Sequence, residues 1–142
     1  MFLGEYDYRI DEKGRVAIPA KFREPFKEGL VLSRGFDKCI IVYPLSEWTK
    51  VAQRLTTLPM TRSKSRRINR ATFSTAFSSE LDRQGRVILP PALRQYAGIK
   101  DGVVIAGLYE YLEIWSHELW AAERALMDEQ AWQLAEGLEV RP

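Results

Sequence analysis

The segments IDEKGRVAIPAKFR (residues 10–23) and LDRQGRVILPPALR (residues 81–94) spell one phrase twice, 71 positions apart. Asp11, Gly14, Arg15, Val16, Pro19 and Arg23 recur as Asp82, Gly85, Arg86, Val87, Pro90 and Arg94, and the apolar Ile18 and Phe22 are answered by Leu89 and Leu93. Chance rarely keeps six identities in a thirteen-residue frame. Such a repeat constrains the fold more than any other feature, because each copy must bury the same apolar face. In a chain of 142 residues, each copy has about 70, a size at which a single core is marginal. The two copies are therefore expected to pack on one another.

Tyr6, Tyr8 and Ile10 alternate with polar residues as a half-buried strand does, and Val16 and Ile18 resume the alternation. Between them, Asp11 can accept bonds from the backbone two residues on, and Gly14 can take the left-handed conformation that closes a tight reversal. Each phrase thus predicts strand, turn, strand. Pro19 suits the first turn of a helix, where its missing N–H is not needed, so a short helix is predicted over 20–26. Its counterpart runs over 91–97 and stops at Gly98. Strand pairs follow at Leu30–Ser33 with Cys39–Tyr43 and at Val103–Ala106 with Tyr111–Trp115, punctuated by Gly29 and Gly102. Trp48, Val51, Ala52 and Leu55 fall at helical spacing before Pro59; Leu119, Ala122 and Leu126 do so on a longer helix that Gly137 ends. Each half reads β-β-α-β-β-α, and Tyr43/Trp115 and Trp48/Trp120 extend the correspondence with a shift of 72.

Residues 1–58 form the first repeat, 59–75 a basic connector, and 76–142 the second repeat with its C-terminal helix. Phe73 and Phe77 sit one helical turn apart, so the connector is read as a helix with a basic first portion and a frayed or capped start near Thr61–Ser65. Net charge is only +2, but its distribution is uneven: residues 51–75 carry six Lys/Arg and no acid, whereas 76–142 carry six against eleven. That asymmetry suits an anionic partner on one side of the molecule, or a solvated basic helix. Cys39 is the only cysteine; no intrachain disulfide can form, a reducing cytosol is the expected compartment, and Cys39 is expected to be buried. No apolar run is long enough to span a bilayer, and the opening MFLGEYDYR lacks a signal-peptide core.

No catalytic constellation is evident. His117 is the only histidine, and no G-x-S-x-G nucleophile motif accompanies it. One His and one Cys are too few for zinc, and no glycine motif cradles phosphate. The reading is therefore not an enzyme, with no cofactor, metal or small-molecule substrate. The basic residues are the better lead. Lys13 and Arg15 lie on the first turn and the strand after it, and Lys21 and Arg23 on the short helix, types that commonly neutralise phosphates. Arginine also reads guanine edges through paired hydrogen bonds. Arg15 stands four residues after Asp11 and can equally brace the turn, a compatible role; for Arg86 with Asp82 bracing is favoured. Candidate DNA contacts are thus Lys13, Arg15, Lys21, Arg23 and Arg86, with Asp11, Gly14, Asp82 and Gly85 shaping the turns.

The double D-x-K/Q-G-R-V-x-I/L-P phrase, the opening MFLGEYDYRID and the stretch IVYPLSEW resemble the MraZ family, over nearly the whole length. The resemblance implies an α+β fold of two tandem AbrB-like (swapped-hairpin) modules closed as a pseudo-dimer within one chain, with connector and C-terminal helices. It also implies a bacterial transcriptional regulator, cytoplasmic and nucleoid-associated. Such a protein would bind short direct repeats of double-stranded DNA as a ring homo-oligomer. Its expected target is the cell-division and cell-wall gene cluster, its own gene included, which it typically damps; no membrane partner is implied. Head-to-tail interfaces generate rings whose subunits present one face in the same sense, and contacts on tandem sites add through effective concentration. Exposed Trp115, Trp120 and Trp132 would serve subunit contacts, with Trp115 expected instead in the monomer's own core. The alternative is an AbrB-like protein-interaction module of the antitoxin type, against which the committed C-terminal helix counts.

Overall fold

A computed structural model describes residues 1–138. The chain runs β1 (Glu5–Arg9), β2 (Arg15–Ala17), two 3₁₀ turns (Ala20–Phe22 and Glu24–Phe26), β3 (Leu30–Arg34), β4 (Ile40–Pro44), α1 (Leu45–Thr56) and α2 (Ser63–Phe73). The second half follows as β5 (Phe77–Ser79), β6 (Arg86–Ile88), α3 (Pro91–Ala97), β7 (Gly102–Gly107), β8 (Leu112–Ser116) and α4 (His117–Gly137). This is the α+β tandem of two modules that the repeat predicts. The phrase strands do not pair within their own half. β1 pairs with β7 and β5 with β3, giving a six-stranded sheet in the order β1-β7-β8-β4-β3-β5, while β2 and β6 pair as a separate two-stranded ribbon.

The registers show a pseudo-twofold axis. In the ribbon Val16 faces Val87, its own repeat mate, flanked by Arg15 opposite Ile88 and Ala17 opposite Arg86. In the sheet Ile41 faces Glu113, again a mate, flanked by Ile40 opposite Ile114 and Val42 opposite Leu112. Strand alternation then sends one set of side chains inward. Leu30, Leu32, Ile40, Val42, Ile105, Leu112 and Ile114 meet Val16, Ile18, Val87, Leu89 and Leu93 in a single core. Both halves supply it, so neither has a core of its own. On the outer face, Trp48 of α1 packs on Tyr43 at 5.5 Å between ring centroids, and Trp120 of α4 on Trp115 at 5.6 Å. Ribbon with short helices, sheet, and long helices form three layers.

The short helix of the first half is two 3₁₀ turns rather than one α-helix. Pro25 lies inside it, removes an N–H and disfavours the α conformation at Glu24. The second copy has no internal proline; α3 is α-helical and closes on Gly98 at φ 67. Pro19 and Pro90 stand at the cap rather than inside the first turn. The connector helix ends at Phe73, and Phe77 opposite Leu32 opens β5 instead of continuing it. Pairing with β3 captures that residue, a long-range effect that spacing does not encode. In α4 only Leu119, Trp120 and Glu123 are half-buried; Ala122 and Leu126 are exposed. Trp115 is 4% exposed and Cys39 is fully buried, as expected, while Trp132 is 80% exposed.

Candidate nucleic-acid interface

The two turns have the same construction. Asp11 Oδ1 accepts from the N–H of Lys13 and of Arg15, both at 2.9 Å, and Asp11 Oδ2 accepts from Arg15 Nε at 2.7 Å. Asp82 Oδ1 accepts from Gln84 and Arg86 N–H at 2.9 Å, and Oδ2 from Arg86 Nε at 2.8 Å. The Gly14 and Gly85 N–H groups donate to the Asp11 and Asp82 carbonyls with φ of 77° and 74°, a region open to glycine. The backbone N–H of the following arginine is the main cause holding each aspartate's pKa below its ordinary value; partial burial opposes it, and the guanidinium bond adds to it. The carboxylate is thus an anion fixed at both oxygens.

Arginine bracing and arginine display are the same geometry here. Nε is occupied by aspartate, and the side chains of Arg15 and Arg86 keep 24% and 28% of their surface exposed. No acceptor engages their Nη groups among the described residues. Alternation puts Val16 and Val87 in the core, so Arg15, Ala17, Arg86 and Ile88 share the outward face of the ribbon. Arg15 and Arg86 are diagonal neighbours there, about 7–8 Å apart by strand geometry. The ribbon is extended at each end by the other half, Ile18 N–H donating to Gly85 O at 2.9 Å and Leu89 N–H to Gly14 O at 2.8 Å. Each turn therefore sits at one end of a short, twofold ribbon.

The other candidates are distributed differently. Lys13 is exposed at the tip of the first turn. Lys21 lies over the Tyr6 ring, its Nζ 4.8 Å from the centroid. Arg23 is half-buried, donates from Nε to Ile18 O at 2.8 Å, and lays its guanidinium against Gly85 of the opposite half. Arg94 likewise lays its guanidinium against Gly14, with its Cζ 3.4 Å from where a Cβ would stand, but its buried Nε has no hydrogen-bond partner among the described residues. Sequence reasoning missed Arg94 as a turn support, although its identity with Arg23 was the available signal. It also missed Arg83, exposed on the second turn where the first has Glu12, and Ile88, which is 58% exposed on the ribbon face. Arg83 leaves the second turn at least as basic as the first. Helix α2, with its four bases, packs on α1 through Phe73 and Trp48, on the far side of the sheet from the ribbon.

The MraZ family model, described as "MraZ protein, putative antitoxin-like", matches twice, over residues 1–71 and 72–133. Proteins named transcriptional regulator MraZ are similar over nearly the full length. That of Dehalococcoides mccartyi is 49% identical, covering 98% of this chain and 99% of its own. That of Herpetosiphon aurantiacus is 48% identical (96% and 95%), and that of Thermomicrobium roseum 43% (97% of each). Two family matches meeting at residue 71 coincide with the two halves that exchange strands around one core. With that duplication and those relatives, the chain belongs to the MraZ family, whose matched members carry the name transcriptional regulator.

Proposed function

We propose that this protein is a sequence-specific DNA-binding regulator of transcription, not an enzyme, and that the β2–β6 ribbon is its reading head. The observation that carries this is the outward ribbon face, where Arg15 and Arg86 are each held by an aspartate with their terminal N–H groups free. A two-stranded ribbon fits the major groove, an oriented guanidinium suits the two acceptors on guanine, and Ile88 suits a thymine methyl. Lys13 and Lys21 serve phosphates, while Arg23 supports the second turn from beneath. Gly14 and Gly85 let the turns close, and Asp11 and Asp82 aim the arginines. Among the described residues no helix is long and apolar enough to cross a membrane; the expected place of action is the cytoplasm, on the nucleoid.

A single ribbon offers few contacts, so useful affinity calls for several subunits. A head-to-tail ring presenting identical ribbons in one sense suits short direct repeats, and the family resemblance suggests repression of the cell-division and cell-wall cluster, the protein's own gene included. The test is a titration of full-length protein against duplexes with three G-rich direct repeats, one repeat, or a scrambled sequence, over a salt series. Preference for three repeats, falling steeply with salt, is expected. Equal weak binding to all three would discard the reading and leave the protein-interaction alternative, which the exposed apolar residues of α4 favour.

A further inference from the structure

The outer face of the sheet carries two clefts that are mates under the pseudo-twofold. One, of about 450 Å³, runs between β4 and α1 and includes Ile41, Tyr43, Val51 and Leu55, with Glu110 from the other half. The second, of about 480 Å³, runs between β8 and α4 and includes Glu113, Trp115, Glu123 and Met127, with Asp37 from the other half. Position for position, Ile41 has become Glu113 and Val51 has become Glu123. The first cleft balances Arg34 and Arg54 against Glu47 and Glu110; the second sets Glu5, Asp37, Glu113 and Glu123 against Arg124 alone. An aromatic-walled cleft has thus turned acidic in one half only.

The helices above the clefts differ as well. In the first half α1 is covered by α2, Phe73 lying 5.8 Å from Trp48. In the second, Trp120 takes the place of Trp48, and among the described residues no helix covers α4 as α2 covers α1. α4 runs on beyond the length of α1 and exposes Leu126, Trp132 and Leu134. Meanwhile α2 has bases and no acids, against five acids and one arginine on α4. Ser65, Ile68, Asn69, Thr72 and Phe73 of α2 face inward at helical spacing. Its opposite side presents Lys64, Arg67 and Arg70, which form no ion pair among the described residues.

We propose that the acidic cleft between β8 and α4 receives the basic helix α2 of a second copy of this chain, with Lys64, Arg67 and Arg70 set against Asp37, Glu113 and Glu123. The incoming helix takes on α4 the place that α2 holds on α1, and the projecting part of α4 offers apolar surface continuous with it. Glu113 supports the match: burial raises its pKa above the ordinary value despite a 3.0 Å bond from Trp115 Nε1, and a guanidinium favours its charged form. Helix and cleft lie on different parts of the surface, so the contact is head to tail and leaves the ribbon on the other side of the sheet free. The proposal rests on the reading that the chain assembles with itself, not on its binding DNA.

The experiment is light-scattering mass of the full chain without DNA. One variant carries Lys64→Glu with Arg67→Glu, the other Asp37→Lys with Glu123→Lys. The wild type is expected to be multi-subunit, each variant alone monomeric, and an equimolar mixture multi-subunit again, because each reversed surface meets its complement. Misfolding cannot produce that restoration. Variants that keep the wild-type mass, or a mixture that remains monomeric, overturn the proposal while leaving assembly in place. A monomeric wild type overturns both.

Discussion

The guanidinium of Arg23, from the first half of the chain, occupies the space that a side chain at Gly85, from the second half, would need. Its mate Arg94 leaves room at Gly14: a Cβ there would stand 3.4 Å from the Arg94 Cζ, an ordinary contact. Both glycines have positive φ, so alanine at either meets backbone strain of about 1–2 kcal/mol. At Gly85 it must also displace Arg23 and its bond to Ile18. Urea unfolding should therefore show Gly85→Ala losing more stability than Gly14→Ala. In an Arg23→Ala background the excess should shrink, a coupling that a double-mutant cycle measures. Equal losses for the two glycines would show that Arg23 moves aside freely.

Arg15 and Arg86 are braced alike, and equivalent loss of DNA binding is expected from each. Arg15→Ala and Arg86→Ala should each weaken specific binding by about 1–3 kcal/mol, the value of a well-placed bidentate contact, with fold retained. Lys13→Ala, a phosphate contact, should weaken all sequences similarly and lower the salt slope by about one. If only Arg15→Ala has an effect in the titration, the ribbon meets DNA through the first repeat alone.

The aspartates connect the turns to acid stability. Each native pKa lies below that of the unfolded chain, about 3.9, so the unfolded state takes up protons first as pH falls. The stabilisation is fully present above about pH 4 and is lost as pH drops through the lower native value. Melting temperatures between pH 7 and pH 2 should decline below pH 4 in the wild type. The Asp11→Asn, Asp82→Asn double variant should start lower and decline less. Parallel curves would mean that other carboxylates govern the acid limb.

The shared core predicts a single unfolding transition. Ile18 is fully buried among residues of both halves, and Ile18→Ala should remove about 2–5 kcal/mol. Loss should appear equally in tryptophan fluorescence, from residues of both halves, and in far-ultraviolet circular dichroism. Separate midpoints for the two signals would indicate halves that fold independently.

Much of this architecture was legible in the sequence, because it is local. The D-x-x-G-R turns need only the reach of an Asp carboxylate and the freedom of glycine at Gly14 and Gly85. Most of the strands and helices follow from alternation and helical spacing. Where local signals competed, the outcome was not legible. Pro25 broke the first short helix into 3₁₀ turns, and Phe77 left a plausible helical position for a strand partner 45 residues earlier, at Leu32.

By itself, then, the sequence determined that the chain is a duplicated unit, which elements compose it, how its turns close, and that Arg15 and Arg86 stand beside their aspartates. Only the tertiary structure decided which strand each phrase pairs with, that Val16 meets Val87 on an axis, that Arg23 and Arg94 support the opposite turns, and that one of two equivalent clefts is acidic. The physical reason is the range of the forces. A turn is closed by atoms a few residues apart. An extended strand offers the same backbone donors and acceptors to any partner, and its choice is made by the core that both halves bury together.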